Sequence, residues 1–489
     1  MRFNNLQRYA LFFLPVLLSF GIYISTLSNN FVWDDKYEIL ANDWIKDVSY
    51  LPDIFFSHSL GWLKPEQSST KYGPLKLAVR LVQYQISEVD PWAYQLTNVL
   101  VHVLSTFMVY LVSARLFVDF QGERSPLFPF VASLLFAVHP IHTEPVNWAI
   151  GLSELSMTFF CLLSFYLFMK SAGKNYRAHI LAGFFLFIAL LFKVTAAFFV
   201  IVFLAYDYAM AKRAAEAQPN TSVSLNVLST RYMPLAVALI GYFALFFLVT
   251  AGESDPVKIN HIKLDNYHLL LNVPLLFFQY MEKLVLPLQL NALYVFHPVS
   301  YPAEVRFLLP LCFVIVFFSF MVIIRKRDVM LSLCSLWIIA PLLPCLYLPA
   351  TGYSYYVFAE RYLYLPSAGY VIGIAALSRI ALKRSFLNKQ TFHFFGLVLL
   401  ITVTFFAILT LQRNHVWKND FSLWSDTSVK SPDSDIAHNN LGVAYEHKGL
   451  LDAALREYEI AIALNPQYMD AYDNRFRVMK IKAFFSGTK

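Results

Sequence analysis

Apolar runs long enough to cross a ~30 Å hydrocarbon core as helices recur along the chain, separated by short polar stretches. Backbone groups in lipid must be satisfied within the structure that spans it, so runs of this length read as helices rather than barrel strands. The pattern predicts about 11 crossings, at 10–27, 95–117, 128–146, 152–170, 178–191, 194–210, 232–250, 306–324, 329–349, 363–380 and 394–411. Lys193 interrupts the apolar region 178–210, which is split into two crossings with the lysine at the outer turn. The stretch 268–290 is apolar enough to cross, but it holds Pro274, Glu282, Lys283 and Pro287 and is assigned to a membrane-surface or re-entrant helix. The first run ends in STLSNN without a small-residue cleavage site, which favours a retained helix over a signal peptide. After Leu411 the chain turns polar and charged. The expectation is an all-α polytopic membrane domain over 1–411, with a first outer loop at 28–94, and a polar module over 412–489.

Charge gives this map an orientation. Arg2 and Arg8, Arg115 and Arg124, Lys170, Lys174 and Arg177, Lys212, Arg213 and Arg231, Arg325–Arg327, and Lys383, Arg384 and Lys389 all fall on one side when the crossings are counted. That side is expected to be cytoplasmic. The polar clusters then collect on the opposite face, together with the 412–489 module. Composition agrees, with 58% hydrophobic and only 15% charged residues, where soluble domains carry about 25% charged. The formal charge of +7 follows from the basic loops, so no nucleic-acid partner is expected. Cys161, Cys312, Cys334 and Cys345 lie in apolar runs and read as small core residues, and no Cys/His cluster has metal-site spacing.

In the polar module, NNLGVAYEHKGLLDAALREYEIAIALNP carries Leu441, Gly442, Tyr445, Gly449, Ala454, Tyr458, Ala461 and Pro466 at the spacing of a tetratricopeptide repeat. Residues 417–432 resemble the second helix of a preceding half repeat, and 469–483 a capping helix. Such fragments do not stack stably alone, so the module is expected to lean on the membrane domain. It reads either as a docking surface for a polypeptide or as a structural cap.

Three outer clusters offer chemistry. FVWDDKYEIL holds Asp34 and Asp35 among aromatics. On an extended segment adjacent side chains point apart, so one carboxylate would face a reacting hydroxyl while the other orients a neighbour. A solvated acidic loop is the alternative. HPIHTEPVNW holds His139, His142 and Glu144, readable as a metal site, a polar active-site rim or a structural turn. AERYLYLPSAGY holds Glu360, Arg361 and Tyr362, where the arginine suits a lipid-linked phosphate or a snorkelling place in an aromatic belt. Lys193, alone in apolar sequence, is a further binding candidate. Asn98 and His102 share a helix face and favour a helix–helix hydrogen bond.

Taken in order, FVWDDKYEIL, YGPLKLAVR, LTNVLVH, HPIHTEPVNWAIG, EKLVLPLQL, AERYLYLPSAGY and the repeat segment resemble the transmembrane and tetratricopeptide-repeat O-mannosyltransferases of the GT-C superfamily. The resemblance implies a polyprenyl-phosphate sugar as donor, a hydroxyl acceptor on protein (or on a lipid or glycan), and chemistry on the outer face. It implies Asp34 as candidate base, Asp35 as its partner, and Arg361 at the donor phosphate. It implies no metal and no cofactor beyond the lipid-linked substrate. One departure is that the family's Ser-Lys-Glu-Thr-type segment reads Phe192, Lys193, Val194, Thr195, without the glutamate. The short repeat module suggests a bacterial-type member, in an inner membrane with its site toward the periplasm.

Overall fold

The computed structural model describes residues 4–56, 72–171, 175–217, 225–251, 264–351, 357–384 and 389–487. Expectations for Arg2, Lys174, and the outer stretches 57–71, 252–263 and 352–356 lie outside these residues. Among the described residues every regular element is helical.

Helix α1 (Asn5–Tyr23) opens with a capping box, Asn4 accepting from Gln7 N–H while Gln7 accepts from Asn4 N–H. A 3₁₀ turn extends it to Ser28. After α2 (Leu51–Phe56) and the amphipathic α3 (Pro74–Ser87), α4 (Trp92–Gln121) runs for 30 residues, about 45 Å. It ends where Gly122 takes a left-handed φ of 62°. Helix α5 (Leu127–Val138) stops before Pro140, and a turn leads into the short α6 (Thr143–Asn147), the pair bending by 50°. Proline supplies no N–H for a continuing helix, which explains the break.

Helices α7 (Leu152–Ser171) and α8 (Tyr176–Phe192) follow. Lys193 is extended, and a 3₁₀ segment leads into α9 (Val200–Ala217). The membrane domain is completed by α10 (Leu225–Thr250), α11 (Asn266–Val285), α12 (Val305–Arg327), α13 (Val329–Thr351), α14 (Tyr364–Arg384) and α15 (Lys389–Val416). Among the described residues nine helices are long and apolar enough to span. Adding the bent α5–α6 pair and the shorter α8 recovers each segment expected from the sequence, while α11 is not among the spans. The one structural difference is that 128–146 is broken rather than continuous.

The largest apolar core runs through α4, α5, α7–α10, α13 and α14. Helices α8 and α10 approach so closely that a Cβ at Gly183 would lie 2.4 Å from the Pro234 carbonyl oxygen. Side chains such as Leu309 and Val316 of α12 and Leu400 and Ile401 of α15 stay exposed, as lipid-facing positions do. Cys312 of α12 is exposed too, which corrects the core expectation for that cysteine. Cys161, Cys334 and Cys345 are buried.

The basic loops gather at one end. Arg213 donates to Asp119 O (2.5 Å), Arg379 to Gln121 Oε1 (2.6 Å), and Lys383 lies 3.6 Å from Glu123. At the other end sit 29–50, α6, Lys193, Arg361 and four further helices, α16 (Asp420–Lys430), α17 (Asp435–His447), α18 (Leu451–Leu464) and α19 (Met469–Gly487). Helices α17 and α18 form a tight hairpin. A Cβ at Gly442 would lie 2.5 Å from the Tyr458 ring, and Gly449 turns the chain at a φ of 73°.

Candidate functional site

The aspartate pair lies in a tight turn rather than on an extended strand-like segment. Trp33 takes a φ of 56°, and successive bonds from Asp35 N to Val32 O and from Tyr37 N to Asp34 O fold the backbone back. The Asp35 side chain is completely buried. Its Oδ2 accepts from Val32 N (3.0 Å) and its Oδ1 from Ile150 N (3.1 Å). Burial pushes its carboxyl up to about 8, against the opposing pull of those two N–H groups and Arg80. Asp34 is only half-buried. The two carboxylates therefore differ in burial. Asp35 ties the segment before α2 to the turn after α6, and Asp34 stays half-buried beside it.

That tie brings together residues far apart in sequence. Trp33 stacks on Trp148 with ring centroids 4.7 Å apart and planes within 10°, and the Arg361 guanidinium lies 5.1 Å from the Trp148 ring. Arg361 pairs with Glu144, its backbone N–H donates to Glu144 Oε2 (2.9 Å), and its Nε is 3.7 Å from Glu154. Lys193 pairs with Glu154, its ammonium 4.7 Å from the Tyr362 ring. The carboxylates are the buried partners, Glu144 at 0% and Glu154 at 7% side-chain exposure. Arg361 at 13% and Lys193 at 23% stay partly open. Two largely buried cations are thus held in position by carboxylates more buried still, an arrangement able to present N–H donors to a phosphate.

Other expected residues go elsewhere. Glu360 turns away from Arg361, accepting from Asn291 N and Tyr294 OH (both 2.6 Å) beneath the C-terminal helices. His139 and His142 do not line a polar rim, which corrects that reading. Both are fully buried, His139 bonded to Leu284 O (3.0 Å) and His142 to Ser367 Oγ (2.8 Å), packed among Phe136, Tyr364 and Phe406. The bend at Pro140 turns these rings inward while carrying Glu144 to the cluster. Among the described residues no group of three or more His, Cys, Asp or Glu is placed to hold a metal ion. His102 makes the expected interhelical bond, to Tyr364 OH (2.8 Å), while Asn98 donates to Trp148 O (2.8 Å) in the turn after α6.

Sequence reading missed Glu154, Arg80, Glu38 and Asp420. Glu154 opens the apolar α7, and the rule that singled out Lys193 applies to it equally. Buried Arg80 pairs with Glu38 and reaches Ile150 O (3.5 Å), bracing the turn that Asp35 holds. Asp420 accepts from Trp33 N (2.9 Å) and pairs with Lys36, so α16 clamps the aspartate turn from outside. Nothing local in the sequence marks that contact.

Fold and site together define an integral membrane protein with a charged, aromatic-lined cluster at one end of its helices. No protein-family model matches the chain. It is 27% identical over 472 residues to a protein O-mannosyl-transferase of Caenorhabditis elegans, covering 93% of this chain and 63% of that protein. It is 26% identical over 503 residues to protein O-mannosyl-transferase TMTC3 of Mus musculus, covering 94% of this chain and 51% of that one. The resemblance to O-mannosyl-transferases thus extends over nearly the whole chain, which spans between about half and two thirds of the length of these relatives. Among solved structures, an oligosaccharyltransferase from Archaeoglobus fulgidus in the apo form aligns with 84% of this chain and 56% of its own, at 12% identity and a TM-score of 0.47. That likeness is too loose to bear on function.

Proposed function

We propose that this protein is a membrane glycosyltransferase of GT-C type. In this reading it moves a mannose-like sugar from a polyprenyl-phosphate donor to a polypeptide hydroxyl, on the face where Asp34, Lys193 and Arg361 gather. The observation that carries it is the similarity to protein O-mannosyl-transferases along 93% of the chain. The partly exposed cation pair and the half-buried Asp34 support roles within it.

The reaction is a single displacement with inversion. Asp34 takes the proton of the acceptor hydroxyl as its oxygen bonds to the anomeric carbon, and the bond from that carbon to the phosphate oxygen breaks. The lipid phosphate leaves with the bonding electrons, and Arg361 and Lys193 stabilise its added charge. Asp35 and Glu144 are positioning residues, holding the turn and the guanidinium. The step uses no metal, so turnover should persist in the presence of a chelator. The C-terminal helices are read as a tetratricopeptide module that receives the polypeptide, and the site as facing the periplasm of a bacterial inner membrane.

The test is transfer from polyprenyl-phosphate mannose to peptide by purified protein in lipid. Asp34→Asn should lower kcat by roughly 10²–10⁴-fold, the usual worth of a general base, without shifting the thermal transition. Full activity in Asp34→Asn would remove the base assignment. Glycolipid products that change in cells lacking the gene, with glycoproteins unchanged, would replace the protein acceptor by a lipid or glycan.

A further inference from the structure

A second feature lies at the opposite, basic end of the molecule. Between α9 and α13 runs a groove of about 380 Å³. Leu204, Tyr208 and Lys212 line it from α9 at four-residue spacing, which puts all three on one helix face. Ser332 and Leu336 line it from α13, again four apart, and Arg325 at the end of α12 completes the rim. The groove is graded in polarity. Lys212 and Arg325 stand at the end where the basic loops gather, and from Lys212 to Leu204 the α9 face descends by about 12 Å along the helix. Leu204 and Tyr208 are more than half exposed, so in a bilayer the slot opens sideways onto acyl chains. Among the described residues, two carboxylates near the groove are engaged by other groups. Asp328 accepts from Leu331 N and Gln121 Nε2 (both 3.1 Å), and Asp207 from Arg231 (2.5 Å) and Tyr232 (2.7 Å).

We propose that this groove is a binding site for an anionic glycerophospholipid. Its phosphate sits between Lys212 and Arg325, Ser332 and Tyr208 supply hydroxyls near the glycerol, and one acyl chain lies along Leu204 and Leu336. Basic pockets between helices at a membrane surface are suited to such headgroups, because cations attract the phosphate while apolar walls shelter the chain. This inference concerns a site separate from the proposed transferase centre and stands whether or not that reading holds.

The test uses the full chain, purified into nanodiscs of phosphatidylcholine containing a minor fraction of phosphatidylglycerol. Lipid retained after transfer to mild detergent is counted by native mass spectrometry. Phosphatidylglycerol should be enriched over its bulk fraction. Neutralising either cation, by Lys212→Gln or Arg325→Gln, should lower retention about fivefold, the factor matching about 1 kcal/mol per basic residue. Ala205→Phe narrows the same slot while keeping both cations and should also displace the lipid. Arg477→Gln on the distant α19 should change nothing. Retention unaffected by the Gln variants or by Ala205→Phe would overturn the site. So would preferential retention of polyprenyl phosphate over phosphatidylglycerol, which would assign the groove to the carrier lipid. If a Gln variant does not fold, the wild-type enrichment and Ala205→Phe decide.

Discussion

Asp34 and Asp35 differ first in burial. Both Asp35 oxygens are occupied by backbone N–H groups from two different segments, whereas Asp34 is half-buried and one residue away. Asn at position 35 offers one acceptor oxygen in place of two, so one buried N–H loses its partner at a cost of about 1–3 kcal/mol. Asp35→Asn should therefore lower thermal stability and transfer together, unlike Asp34→Asn. The pH dependence carries a sign. The Asp35 pKa is raised on folding from 3.8 to about 8, so its contribution to stability is complete below pH ~4 and lost as pH rises toward ~8. Melting curves should show the gap between wild type and Asp35→Asn shrinking over that interval. A gap that widens would place the charged form as the favoured one. At Arg361 the planar fork matters as well as the charge, since it meets Glu144 while lying over Trp148 and Tyr362. Arg361→Lys keeps the charge and loses that geometry, and kcat should fall roughly 10²-fold with stability changing less. The sequence made the acidic pair and the arginine visible as residue types. It did not reveal that Asp35 is engaged by a distant backbone group, because the Ile150 N–H lies 115 positions away.

The break between α5 and α6 is the element that assembles the site. Its prolines are plain in the sequence, yet 128–146 was expected as one crossing, and neither the break nor the direction in which each side chain leaves the bend was legible. His139 and His142 turn into the bundle, where burial and neighbouring rings hold them, while Glu144 and Trp148 emerge at the cluster. Gly151 closes the returning chain so tightly that a Cβ there would lie 2.2 Å from the Pro145 carbonyl oxygen. Gly151→Ala must displace backbone, not a flexible side-chain tip. It should cost about 1–3 kcal/mol in stability and lower activity by moving Trp148 and Ile150. Normal activity and an unchanged melting temperature in Gly151→Ala would show that this turn has slack. Lys193 follows a similar logic. The break after α8 places it at the turn between two helical segments as expected, but its carboxylate partner comes from Glu154 of α7 rather than from the adjacent sequence.

Across the whole molecule, the C-terminal helices complete the end of the bundle opposite the basic loops. Trp33, Trp148, Trp417 and Trp424 form one apolar cluster with Ala437 and Leu441, and Asp420 holds the aspartate turn directly. Only 417–419 separate α15 from α16, so the module is carried on a short connection. Removing 417–489 would expose that cluster and leave Trp33 N without its acceptor. Such a truncation should lose activity even toward short peptides that need no docking surface. Full activity toward them would confine the module to recruitment. Asp420→Ala is the milder form of the same test and should reduce activity with the helices still in place.

Periodicity and charge by themselves determined the helical class, the positions of the crossings and the sorting of basic loops to one end. These follow from each segment's own composition, since lipid and water act on every residue locally. Tertiary structure alone decided which polar residues meet: Glu154 with Lys193, Glu144 with Arg361, Asp35 with Ile150, Asp420 with Trp33. Those pairings depend on how the helices pack in three dimensions, and a buried charge or N–H group takes whichever partner that packing brings within reach.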